Sequence, residues 1–109
     1  MSEIVVVVVA QAAPGRGDDA LAAFAEVSVP THAEEGCIAY ALHRATGDPD
    51  QIVLVERWAS REALDAHLAS EHLARFRADG ADLWAAPMQI VVTAPAPAGD
   101  PVKGSLAGA

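Results

Sequence analysis

Cys37-Ile38-Ala39-Tyr40-Ala41-Leu42-His43-Arg44 and Gln51-Ile52-Val53-Leu54-Val55-Glu56-Arg57-Trp58 stand on either side of Thr46-Gly47-Asp48-Pro49-Asp50. Apolar residues alternate in both runs, and the segment between them is turn chemistry, which predicts a hairpin of strands 37–44 and 51–59. Successive side chains on a strand point to opposite faces. Ile38, Tyr40 and Leu42 are therefore expected on one face, with Cys37, Ala39, Ala41 and His43 on the other. In the second strand Ile52, Leu54, Glu56 and Trp58 share a face opposite Val53, Val55 and Arg57.

Upstream, residues 4–9 are Ile-Val-Val-Val-Val-Val. Such β-branched residues favour a strand, and the lack of alternation predicts that both its faces are covered. Pro14-Gly15-Arg16-Gly17 breaks it, and Asp18 and Asp19 suit a helix start. Leu21, Phe24, Val27 and Ser28 form one helical stripe. Pro30 is expected to interrupt this helix, Thr31 with Glu34 to form a capping box that restarts it, and Gly36 to stop it. Downstream, Ser60 caps a helix whose stripe is Leu64, His67 and Leu68. Ser70 caps a second short helix with Leu73 and Phe76, ended by Gly80. Residues 88–93 read as a last strand. The order is β-α-β-β-α-β, a ferredoxin-like α+β arrangement with helices on one face of an antiparallel sheet. Val5, Val7, Val9, Val53 and Val55 make an apolar patch on the other face, which predicts a symmetric homodimer packed sheet to sheet. The domain is expected over residues 1–94, followed by a loose Pro/Ala/Gly tail over 95–109.

The 109 residues suffice for one domain with a sizeable core, and 52% are apolar, which excludes disorder of the whole. Seven Lys and Arg stand against 15 Asp and Glu, a formal net charge of −8. No basic cluster exists to neutralise phosphates, so neither nucleic acid nor an anionic membrane is an expected partner. Cys37 is the only cysteine, so no intrachain disulfide forms. The apolar run 4–10 is too short to span a bilayer and lacks the flanks of a signal peptide. A cytoplasmic protein is the expectation.

His67 is the unusual residue, because it shares the inward stripe with Leu64. If the strand faces meet the helices, Tyr40, Glu56, Trp58 and His67 line one space. A buried carboxylate needs a partner, and His67 is the candidate for Glu56; a purely structural Glu–His contact is the competing reading. His72 follows a helix cap and suits a surface position, and His32 and His43 suit solvent. Cys37 has no basic neighbour in sequence that would make a reactive thiolate. His67 and His72 are five apart, not the four that puts ligands on one helix face. A helix break could still bring them together, but no further ligand motif appears, and no metal is expected.

Glu35-Gly36-Cys37-Ile38-Ala39-Tyr40, Val55-Glu56-Arg57-Trp58-Ala59-Ser60 and the run from Ala63 to His72 resemble, as a set, the antibiotic biosynthesis monooxygenase family. The resemblance covers roughly residues 3 to 93. It implies a dimeric α+β barrel of two ferredoxin-like chains. It also implies oxidation of a small phenolic or hydroquinone substrate by O₂ without metal, flavin or haem. On that reading His67 is the base, Glu56 orients it, and Tyr40, Trp58, Phe76 and His72 bind the aromatic substrate. Polyketide-tailoring members use an Asn and an Arg in the pocket, and haem-degrading relatives an Asn on the first strand. This chain has no Asn, so neither version carries over. The alternative is a non-oxidative member, either an isomerase of a small carbonyl compound or a binding module.

Overall fold

The computed structural model describes residues 3–106. Its elements run β1 (Ile4–Gln11), α1 (Gly17–His32), β2 (Cys37–Arg44), β3 (Gln51–Trp58), α2 (Arg61–Leu68), α3 (Glu71–Asp79) and β4 (Gln89–Thr93). The strands form one antiparallel sheet in the order β2-β3-β1-β4. This is the expected ferredoxin-like α+β fold. Three helices cover one face of the sheet, and the core lies between, built on Val6, Val8, Phe24, Ile52, Leu54 and Leu64. Both expected caps are present: the Ser60 hydroxyl accepts from Ala63 N–H, and that of Ser70 from Leu73 N–H. The gap between them, at Ala69 and Ser70, separates α2 from α3.

Three local expectations are corrected. Helix α1 continues through Pro30 and does not restart. Pro30 lies in the last turn, where a missing N–H costs only one helical bond. Thr31 is fully buried and donates its hydroxyl to the Val27 carbonyl instead of capping a new helix. The chain then leaves the helix through the turn closed by Glu34 N–H on the Thr31 carbonyl. Second, β2 carries an irregularity at Ile38: Cys37 pairs with Trp58 and Ala39 with Arg57, so Ile38 is the extra residue. Cys37 therefore joins the face of Tyr40, and Ile38 is 47% exposed. Third, Leu68 closes α2 at 43% exposure and does not share the burial of Leu64.

On the opposite face, Val7 pairs with both Val55 and Val91, and Val9 with Val53. Within one chain this face is only partly covered, with Val91 exposed. Phe24 packs against Phe76 at 4.9 Å and Trp84 at 5.5 Å, tying α1 to α3 and to the segment before β4. Residues 94–106 contain no strand or helix and close one turn, with Gly104 N–H on the Asp100 carbonyl. The last three residues of the expected tail lie outside the described residues.

No side chain caps α1 from its own N-terminal residue Arg16. The turn before β3 does so instead: Asp50 Oδ1 accepts from Gly17 N–H and Oδ2 from Gly15 N–H, both at 3.0 Å. A Cβ at Gly17 would collide with the Pro49 carbonyl, so the two segments meet backbone to backbone. Asp50→Ala is expected to cost about 1–2 kcal/mol of stability in urea unfolding; an unchanged midpoint would contradict this tertiary cap.

Candidate active site

A cavity of about 120 Å³ opens between the sheet and helices α2 and α3. Its walls are mainly apolar, with Val6, Val8, Phe24, Leu54 and Leu64 among them, and its polar groups are Tyr40, Glu56, His67 and Arg77. Tyr40 and Glu56 are register partners across β2 and β3, so the pleat presents both to the same space. His67 reaches it from the last turn of α2.

His67 is 2% exposed. Its Nδ1 lies 2.7 Å from Glu34 Oε2, and the same oxygen lies 2.8 Å from His72 Nε2. A carboxylate only accepts, so both imidazoles donate to it. That leaves His67 Nε2 as the bare, accepting nitrogen. Below the imidazole ring sits Trp58, at 4.7 Å and tilted by 32°; Tyr40 meets it edge-on at 5.5 Å. Glu56 Oε1 accepts from Trp58 Nε1–H at 2.8 Å. The Tyr40 hydroxyl, Glu56 Oε2 and His67 Nε2 make no hydrogen bond to the protein, yet no buried side-chain N or O among the described residues is sealed off without a partner. Each of these three atoms therefore keeps some accessible surface, and all three residues line the cavity.

Burial sets the charge state of each group. It pushes the Tyr40 phenol well above its usual range, helped by the charges of Glu56 and Glu34, so Tyr40 stays a donor. The Glu56 carboxyl rises from 4.5 to about 7, mainly by burial, against the opposing bond from Trp58. His67 is held below its ordinary value because burial outweighs the pull of Glu34. At neutral pH the imidazole is thus uncharged and able to take a proton.

Tyr40, Glu56, Trp58 and His67, which strand and helix periodicity puts around one space, are together. Their partnerships differ from expectation. Glu56 bonds Trp58, not His67; the residue that orients His67 is Glu34, expected instead in a helix cap with Thr31. Trp58 is fully buried beneath His67 and does not line the cavity. Phe76 does line it. His72 faces a separate outer hollow between α1 and α3, of about 450 Å³, and meets the site through Glu34 and through the His67 ring, whose centroid is 6.1 Å from its own. Arg77, at the exposed side of the cavity, was also missed. Nothing in the sequence ties Glu34 to His67, since it sits in a loop 33 residues from that partner. Cys37 keeps its thiol proton, raised by burial, as its lack of basic neighbours implied.

Residues 3–79 match the antibiotic biosynthesis monooxygenase family. The chain belongs to this family. It is 42% identical over 66 residues to Rv0793 of Mycobacterium tuberculosis, a protein named provisionally as a monooxygenase; the match covers 61% of this chain and 64% of that one. It is 33% identical over 63 residues to YcnE of Bacillus subtilis, named in the same provisional way, covering 58% of this chain and 66% of YcnE. These matches thus span just under two thirds of both curated relatives. The solved structure of Rv0793 superposes with a TM-score of 0.82 at 31% identity, covering 91% of this chain and 100% of Rv0793. A crystal structure of an antibiotic biosynthesis monooxygenase matches at 0.79 and 29% identity, covering 86% of this chain and 99% of that one. In this antibiotic biosynthesis monooxygenase family member, no helix among the described residues is long and apolar enough to cross a membrane.

The raised Glu56 value has a measurable consequence. Between pH 4.5 and about 7 the folded chain holds a proton that the unfolded chain has released. Glu56 therefore lowers stability as pH rises through that window, by on the order of 3 kcal/mol in total, and adds no further slope above it. The stability of wild type relative to Glu56→Gln should fall by that order between about pH 5 and about pH 8. A difference independent of pH would contradict a protonated Glu56 in the folded state.

Proposed function

We propose that this protein is a cofactor-independent monooxygenase that oxidises a small single-ring phenol or hydroquinone with O₂. The observation that carries this reading is the bare Nε2 of His67 in an apolar cavity beside the Tyr40 hydroxyl. Nε2 takes the phenolic proton, and Tyr40 donates to the resulting phenolate. The electron-rich anion then reduces oxygen. One oxygen atom bonds to a ring carbon that loses its hydrogen, the other leaves as water, and the substrate supplies all four electrons. A phenol and O₂ thus give a quinone and H₂O with no external reductant. Glu34 acts as a positioning residue by fixing the tautomer of His67. Glu56 is a second group able to exchange a proton at neutral pH, and Phe76 supplies wall. Trp58 supports the His67 ring from below. At about 120 Å³ the cavity is smaller than the roughly 150 Å³ apolar cavity that holds benzene, which disfavours a polycycle; a single ring extends toward the open side at Arg77.

The partners implied are this aromatic substrate, O₂ and a second copy of the chain, in a cytoplasmic setting. The half-covered valine face supports a homodimer packed through the sheet. Sedimentation should give a dimer at micromolar concentration, with Val55→Glu shifting it to monomer; a wild-type monomer would overturn this assembly.

The activity test is oxygen uptake with a panel of monocyclic hydroquinones and phenols on metal-stripped protein. Uptake above the uncatalysed rate is expected, reduced by about 100-fold or more in His67→Ala with the fold retained. Turnover that survives in His67→Ala would remove it as the base. A panel without any uptake, together with saturable ligand binding, would favour the non-oxidative reading.

A further inference from the structure

Glu34, His67 and His72 come from three different elements: the loop after α1, the end of α2 and the start of α3. One potential ligand atom from each lies within 4.8 Å of the others. Two imidazole nitrogens and a carboxylate oxygen are the donor set of open three-ligand sites for borderline divalent ions, with the remaining positions left for water. The spacing is close to what such an ion needs. Ligands at zinc distances in a tetrahedron stand about 3.3 Å apart. The two oxygen–nitrogen separations here are 2.7 and 2.8 Å and the three atoms span no more than 4.8 Å, so the carboxylate withdraws by about half an ångström and the two nitrogens close by at most about 1.5 Å. Two of the ligands can move. Glu34 is in a loop, and His72 is partly exposed with Glu34 as its hydrogen-bond partner. His67, held between Trp58 and Tyr40, is the fixed point. Charge favours the cation too: the only formal charge within the trio is the carboxylate, on a chain of net charge −8.

We propose that Glu34, His67 and His72 bind one divalent transition-metal ion of the zinc type. The ion replaces the two protons that the imidazoles now share with Glu34. Each neutral ring keeps its proton by carrying it on the other nitrogen. For His67 the metal therefore sits on Nδ1, and the proton moves to Nε2. The effect on turnover rests on the reading of His67 as base: an occupied site has no bare Nε2, so the ion is an inhibitor and not a cofactor.

The test uses untagged, chelator-treated full-length protein without substrate. Co²⁺ titration is expected to give visible d–d bands that saturate at one ion per chain and vanish when Zn²⁺ is added. His72→Gln and Glu34→Gln, each with an unchanged circular dichroism spectrum, should each weaken binding by at least about tenfold. His43→Gln, at an exposed histidine on the far face, should leave it unchanged. Absent bands, or bands indifferent to both ligand variants, would overturn the site. Oxygen uptake by the metal-free protein is read separately. Its absence would count against the oxygenase reading while the cobalt titration still decides the metal site.

Discussion

The bond from His67 to Glu34 is the contact on which the site depends. An imidazole at the end of α2, almost wholly removed from water, needs a partner for its N–H. Glu34 provides it across 33 residues of sequence. That bond decides which nitrogen is bare, and the bare nitrogen faces the cavity. It also binds the α1–β2 loop to α2, and through His72 to the start of α3. Two elements that line the cavity, α2 and α3, therefore meet the loop after α1 at one carboxylate oxygen. Ser60 and Ser70, by capping α2 and α3 separately, create the break that lets two histidines five positions apart converge on it.

The electrostatics of the cavity follow from the same lack of water. Burial drives acids up and bases down, so Tyr40 keeps its proton, His67 stays uncharged, and Glu56 sits near neutrality. Apart from Arg77 at the exposed side and Glu56, which titrates at about 7, the groups that face a bound molecule are thus uncharged until a proton moves. In such surroundings a newly formed anion is stabilised by directed donors instead of by water. Glu34 stands behind His67 and favours the imidazolium that proton transfer creates. The protein's part is an apolar space, a base and a donor, a sparse set suited to a substrate that supplies its own electrons.

Much of the fold was legible in the sequence because it follows from alternation and punctuation. The hairpin of β2 and β3, the two serine caps and the valine strand all carry local signals. Where the reading failed, tertiary contacts overrode local propensity. Pro30 looked like a break, but a proline in a last turn removes one bond, and Thr31 turns inward to the Val27 carbonyl. Ile38 looked like core, but an irregular residue in β2 turns it out and turns Cys37 in. The site was half legible. Tyr40, Glu56, Trp58 and His67 share faces by simple periodicity, so their convergence could be read. Which carboxylate meets which nitrogen could not, since periodicity puts Glu56 on the face toward His67 and says nothing of Glu34 in its loop. Only the path of the loop after α1 distinguishes them.

The central claim is that His67 presents an unprotonated Nε2 to the cavity. Nitrogen-15 correlation spectra of the imidazole side chains test it directly, since each tautomer has a distinct pattern of nitrogen shifts. At neutral pH in metal-free protein, His67 is expected as the neutral Nδ1–H tautomer, and Glu34→Gln should lose that clear preference. A neutral Nε2–H tautomer, or a fully charged ring at neutral pH, would contradict the account, because neither leaves a base in the cavity.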